Sequence, residues 1–591
     1  MNRSLYALLA LLAVLHVASW LPAAENADAK LEQFYKNYLE QVFALRPMDA
    51  TRLGDHRFDN RLDDLTAAAR QKWVALDRNT LKQLDEEFQA ERLSPAARLD
   101  LEILRHDLKR GIWGAENLKP FEQDPRVYGD YITDSVYMLL SQSTQPKETN
   151  ISNAIARMGQ IPQVIAAAKQ NLQNPTRVTT ETAIRQSAGA VSFYEQELFQ
   201  LAGDTPQLDK LKAEAAKVIE SIKAYREFLE KDLLPRANGQ WRLGAEKFAV
   251  KLDMDLDAGL TAEQVLKEAE SEFARVHRDM YVIARQLWSH YFPGVVIPPD
   301  DEIGRRDTTV RVLQAVGHEH GKPEDLTSDA RATVVRIKDF IRDRKILALP
   351  DPDRCNIIEM PEFQRGNSTA FLNPAPPLDT SARSVYAVSP PPKDWTEQQV
   401  NSLLEEYNRH MLQILTIHEA YPGHYVQLEY SNRNPSLIRR VMGSGPYIEG
   451  WAVYTEQMML DQGYGEGDLQ LRLTQLKFYL RAVTNAILDH RMHCTDISDE
   501  DALKLLTRGA FQSEGEAKLK IIRSKQSSCQ LSTYFVGRMA LVRTRREVQR
   551  KLGDKFELNK YHEALLGLGA VPVKDLTQLV LGELSAEAGK R

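Results

Sequence analysis

HEAYPGH, residues 418–424, sets two histidines six residues apart, with a glutamate directly after the first. Two histidines four apart on one helix, enclosing that glutamate, form a metal-binding signature. Here the fourth residue on is Pro422, and the second histidine is His424. A helix turns about 100° per residue, so residues four apart share a face and residues six apart diverge by about 120°. Proline lacks an N–H and clashes with the preceding turn, whereas glycine is permissive. A loop-out at Pro422-Gly423 would drop two residues from the count and bring both histidines to one side. Pro-Gly also ends helices without chemical purpose, so this stretch alone leaves both readings open.

Neighbouring sequence sharpens the choice. EQQVNSLLEEYNRHMLQILTIHEAYPGH reads as one long helix ending in this motif. A catalytic zinc site takes three protein ligands and keeps a fourth position open. EGWAVYTEQMML, from Glu449, reads as the next helix, and Glu449 and Glu456 share its face. Glu449 is the preferred third ligand, because the chain after GSGPYI can bend back toward His424. The competing reading makes it a first-turn glutamate favoured by the helix dipole. Glu456 could hydrogen-bond a ligand histidine. Its place about 10 Å along the axis from Glu449 argues against that role.

Two later motifs offer polar groups. In DHRMH, Asp489 and His493 are four apart; in STYFVGR, Tyr534 and Arg538 are four apart. A tyrosine hydroxyl or histidine N–H can stabilise an oxyanion, and Asp489 could orient His493. Tyr534 and His493 are equally readable as buried, hydrogen-bonded residues, and Asp489 reads more readily as a plain salt-bridge partner. Arg481 and Arg538 could grip a peptide carboxylate, or serve as structural arginines. VGHEHGKPED, with His318 and His320, lacks an accompanying base and reads as a solvated turn. LGDHRF, with Asp55 and His56, comes with no serine-nucleophile motif.

HEAYPGHYVQ followed by EGWAVYTEQM resembles the bacterial domain-of-unknown-function family 885, mostly exported proteins regarded as zinc metallopeptidases of the thermolysin-like clan with an HE-x-x-PGH motif. ATRLGDHRFDNRLDD, IIEMPEF with FLNPAPPLD, AILDHRMH and LSTYFVGRMALVRTRREV resemble further segments, so the likeness spans nearly the whole mature chain. It implies a mainly helical metallopeptidase body, two-lobed around a channel by analogy with helical oligopeptidases. It also implies one zinc ion on His418, His424 and Glu449, with Glu419 as general base toward zinc-held water. His493 and Tyr534 become pocket residues.

The rest of the chain bounds these expectations. MNRSLYALLALLAVLHVASWLPAAENADAK has a basic start, an apolar run and small residues, the pattern of a signal peptide ending after Ala24 or Ala29. No cysteine lies there, which argues against lipid anchoring; the expected destination is the periplasm or beyond the cell, off the membrane. A net charge of −6 over 591 residues provides no basic face for nucleic acid. Three cysteines, Cys355, Cys494 and Cys529, allow one disulfide at most. After the signal peptide, residues 30–591 read as one helical domain. It divides into an N-terminal part (30–345), a Pro-rich segment (346–396) and a catalytic part (397–591). Within the Pro-rich segment CNIIEM and SVYAVS read as short strands of a small sheet beside the site, or else as loop. A sheet edge there could bind extended peptide. Helical periodicity marks KLEQFYKNYLEQVFAL, the run from Asp209, and the run from Thr261, where Gln264 completes a capping box. The expected activity is zinc-dependent hydrolysis of short peptides. The alternatives are hydrolysis of a non-peptide amide or ester, and non-catalytic peptide binding on the same fold.

Overall fold

Thr261 and Gln264 exchange side-chain-to-backbone hydrogen bonds at the head of α1 (Ala262–Tyr291) in the computed structural model, as the capping box predicts. The structure describes residues 26–360, 370–392 and 395–589. The signal-peptide stretch lies largely outside them; residues 26–45 form a helix. No described helix is long and apolar enough to cross a membrane. The fold is mainly helical, with one three-stranded sheet among the described residues.

The chain divides into two compact units. The first comprises residues up to Gly239, with Pro377–Asp379 and Pro435–Met442. Its helices include Ala67–Glu87, Pro95–Asn117, Arg177–Ser192 and Leu208–Phe228, around a core containing Tyr128, Ile151, Met158, Val218 and Leu229. Within it Arg157 is fully buried, donating to the carbonyls of Arg61 and Ser135 and to the Thr51 hydroxyl. The LGDHRF stretch is a clasp: His56 sits between Asp59 (2.8 Å) and Asp379 (3.2 Å), and Leu378 N–H donates to the Leu53 carbonyl.

The second unit comprises Gln240–Pro376, Thr380–Asn434 and Gly443–Arg591. It contains α2 (Arg409–Glu419), α3 (His424–Asn432), α4 (Gly445–Asp461), α5 (Leu469–Cys494), α6 (Glu514–Gln526) and α7 (Thr533–Leu552). On α1, Val265, Ala269, Val276, Met280, Ala284 and Leu287 form a buried stripe at three-, four- and seven-residue steps. That stripe shares one core with Leu473, Leu480, Val483 and Ile487 of α5 and Phe535 of α7. Each of these larger aliphatic or aromatic side chains contributes roughly 1.5–3 kcal/mol by leaving water, the alanines less.

The sheet has the order β1 (Cys355–Glu359), β3 (Ser384–Val388), β2 (Ala370–Asn373). β1 runs parallel to β3 and β2 antiparallel, with Leu372 opposite Tyr386. CNIIEM and SVYAVS are the expected strands; β2 is an addition. The Tyr386 hydroxyl meets Thr416 of α2 at 3.1 Å, so the central strand packs on the helix that carries His418. The single long helix expected before HEAYPGH is broken. Its first part is Glu397–Glu406, and Asn408 then caps α2, its side chain accepting from His410 N–H and Met411 N–H. All three cysteines are free.

Candidate metal centre

The helix α2 ends at Glu419, and α3 begins at His424. Between them Ala420 and Tyr421 both donate to the Thr416 carbonyl, and the chain turns through Pro422-Gly423. A Cβ on Gly423 would lie 1.9 Å from the His418 carbonyl oxygen, so only glycine fits there. Trp451 Nε1–H donates to the Pro422 carbonyl at 2.8 Å. The hydroxyls of Tyr421 and Tyr425, on either side of the turn, both donate to Asp353. The loop-out inferred from Pro-Gly is therefore present and braced from three directions. It brings the His418 and His424 rings to 4.8 Å, mutually perpendicular.

Glu449 arrives on α4, which starts at Gly445 with Ser444 as its cap. It is thus in the second turn, beyond the first-turn position where a dipole would favour it. Its placement depends on a close helix crossing. A Cβ on Gly450 would lie 2.3 Å from the backbone of Gly537 on α7, and one on Gly537 would lie 1.8 Å from the Pro446 carbonyl. Glu449 Oε2 stands 3.4 Å from His424 Nε2 and 3.9 Å from His418 Nε2. One donor atom from each of the three residues falls within 4.8 Å of the others. Tetrahedral zinc with ligands at 2.0–2.2 Å holds neighbouring donors roughly 3.3 Å apart, so the set needs little adjustment. Glu449 Oε2 and His424 Nδ1 are buried without a well-formed hydrogen bond among the described residues. Two imidazoles and one carboxylate suit zinc.

The site's electrostatics follow from burial and mutual proximity. Burial, reinforced by His424, pushes His418 down to about 3. Burial would lower His424 as well, but the Glu449 carboxylate raises it. Burial would raise Glu449, and the two histidines hold it below its ordinary value. Burial lifts Glu419 to about 7. Glu419 Oε2 accepts the Leu372 N–H of β2 at 3.1 Å, which leaves Oε1 to act. Glu456 reaches His418 Nδ1 at 2.8 Å, contrary to the expectation from axial rise. The helices cross, and the histidine comes to Glu456 from another element.

The remaining candidates separate. The Tyr534 hydroxyl receives Gln530 Nε2–H at 3.2 Å, with an Arg523 nitrogen 3.5 Å away; burial and the charge of Glu449 raise its pKa. His493 is not in the pocket. It lies fifteen residues beyond Phe478, the α5 residue that meets His418, which is about 22 Å along the helix. There its Nε2 faces the Ser524 and Ser527 carbonyls and its ring stacks on Phe248. Asp489 does not orient His493; it accepts from Cys529 N–H and from Ser532 N–H and Oγ–H. Arg538 is buried against Glu272, Tyr479 and Gln457. Arg481 is paired with Glu516. His318 is exposed beside Glu405. Sequence reading missed the Leu372 N–H, Gln530 and Arg523, none of which belongs to a motif with its own chemistry.

Fold and site define a mainly helical protein with a His-His-Glu donor set beside a glutamate of raised pKa. Its sequence matches the family described as bacterial protein of unknown function (DUF885) over residues 47–580, and the chain belongs to that family. It is similar to a structure described as "a putative lipoprotein of unknown function from Shewanella oneidensis": 30% identity, TM-score 0.80, 93% of this chain and 99% of that one. A second similar structure, "the putative lipoprotein from Colwellia psychrerythraea", is 18% identical with a TM-score of 0.76, covering 95% and 99% of the two chains, and shows the shared fold. No curated protein matches the chain.

Proposed function

We propose that this protein is an exported zinc metallopeptidase acting on short peptides. The observation that carries the reading is the convergence of His418, His424 and Glu449 next to Glu419, across a turn in which position 423 admits only glycine. These three side chains would hold the ion. When bound, zinc supplies Lewis acidity, polarising a carbonyl and acidifying water.

The chain's own groups would do the rest. Glu419 takes a proton from the attacking water at Oε1 and hands it to the leaving amine nitrogen. Burial raises its proton affinity above that of an ordinary glutamate, which suits a group that must accept a proton before donating it. The Tyr534 hydroxyl receives from Gln530, so its own proton is available for the developing oxyanion. Its raised pKa keeps that proton in place.

The test is cleavage of a short-peptide mixture by the zinc-loaded protein and by Glu419→Gln. The variant should lose at least about a hundredfold in rate, with zinc content and unfolding temperature unchanged. Full activity in the variant would defeat the mechanism. Zinc that is absent from the wild type and cannot be reloaded would defeat the site.

A further inference from the structure

A run of contacts leads from one end of the donor set to the other. Phe478 meets the His418 ring at 5.7 Å, and the Arg481 guanidinium lies 5.5 Å from the Phe478 ring centre. Arg481 pairs with Glu516 of α6. Glu516, Lys520 and Arg523 are four and three residues apart, so they share one face of α6. Arg523 donates to Gln530 Oε1 at 2.7 Å and stands 3.5 Å from the Tyr534 hydroxyl. Tyr534 in turn feels the charge of Glu449. The run thus starts at His418 and closes near Glu449.

Its cations are not equally committed. Lys477 and Arg481 have carboxylates beside them, Glu406 and Glu516. Among the described residues Arg523 hydrogen-bonds to neutral partners, Gln530 and Tyr534, and forms no ion pair, although its charge is felt at Glu449. Lys520 makes no hydrogen bond or ion pair among the described residues, although Glu516 lies one turn away. Burial, with Arg481 and Arg523 nearby, disfavours its ammonium form, and an arriving anion would restore that charge. Side chains one turn apart have Cβ atoms about 5–6 Å apart, a separation that lets two cations take one oxygen each of a carboxylate.

We propose that Lys520 and Arg523 receive the free C-terminal carboxylate of the peptide substrate, so that the enzyme removes residues from the C-terminal end. The proposal rests on the metallopeptidase reading and names its substrate class. Hydrolysis breaks the amide C–N bond and joins the water oxygen to the carbonyl carbon. The proton that Glu419 carries ends on the departing amine, which belongs to the fragment whose carboxylate is held. Arg481, already paired, shapes the subsite and is not its anion receptor.

The probe is tetra-alanine, as free acid and as C-terminal amide, titrated calorimetrically into zinc-loaded, full-chain Glu419→Gln protein. The acid should bind roughly tenfold or more tightly than the amide. Adding Lys520→Met and Arg523→Gln should reduce that preference to about twofold or less, while Arg523→Lys keeps most of it. Unfolding curves of each variant exclude loss of fold. Equal binding of acid and amide, binding of neither, or a preference that survives the double substitution overturns the proposal. Cleavage separates it from the parent reading. Wild-type protein that cuts acid and amide equally well overturns the carboxylate site and keeps the peptidase. Protein that prefers the acid in binding but cuts neither keeps the site and overturns the peptidase.

Discussion

Glu456 Oε1 lies 2.8 Å from Nδ1 of His418, although the two residues are 38 positions apart and on different helices. An accepting oxygen there would keep the proton on Nδ1 and leave the Nε2 lone pair toward His424 and Glu449. Glu456→Ala should weaken zinc binding by roughly 10–100-fold, read by competition with a chelator. Glu456→Gln should weaken it less, because the amide oxygen still accepts. Unchanged affinity in the alanine variant would show that the contact does not orient the ligand.

Gly423 makes a prediction of another kind. An added Cβ would meet backbone, the His418 carbonyl oxygen at 1.9 Å and the Ile417 carbonyl oxygen at 2.3 Å, and neither can swing aside. Gly423→Ala should therefore separate the histidines and abolish stoichiometric zinc. Metal analysis of the purified variant decides it; a full complement of zinc would mean that the turn tolerates a side chain.

The α4–α7 crossing tests how far Glu449 depends on packing. Gly537→Ala should cost at least roughly 1–3 kcal/mol, the usual penalty of overpacking, because its Cβ would strike the Pro446 carbonyl at 1.8 Å. Gly189→Ala, on an exposed helix position with nothing within 4 Å, should instead stabilise by up to about 1 kcal/mol. Urea midpoints that move equally for the two variants would contradict the close crossing.

His562 predicts an acid limb. It is fully buried; Nδ1–H donates to the Ile346 carbonyl and Nε2 accepts the Tyr454 hydroxyl, both at 2.9 Å. Burial pushes its pKa down from 6.5 to about 3. Between those values the unfolded chain binds the proton and the folded chain does not, so stability falls as pH is lowered and the loss is complete near the folded value. A difference of that size is worth roughly 4–5 kcal/mol. Denaturant unfolding at pH 7, 5 and 4 should show a steeper decline in wild type than in His562→Gln. Parallel curves would remove His562 as a source of acid sensitivity.

The bend at HEAYPGH was legible because Pro422 and Gly423 each carry a backbone rule that acts locally. So was the head of α1, where Thr261 and Gln264 sit at capping spacing. The break at Asn408 was not, because apolar spacing continues across it while one side chain captures two N–H groups. Glu456 was misjudged because spacing measures distance along one helix and says nothing of how near another helix passes. His493 and Asp489 looked chemical by type, and their partners turn out to be backbone and a serine hydroxyl. Lys520 and Arg523 were invisible for the opposite reason. What distinguishes them is that neither forms an ion pair among the described residues, and the many other lysines and arginines of the chain look the same in sequence.

The bond from Leu372 N–H to Glu419 comes from the main chain. Every amino acid except proline carries that donor, so substitution at position 372 leaves the tether untouched. The side chain there is free to vary, while the grip on Glu419 passes unaltered from one variant to the next. Proline alone would sever it.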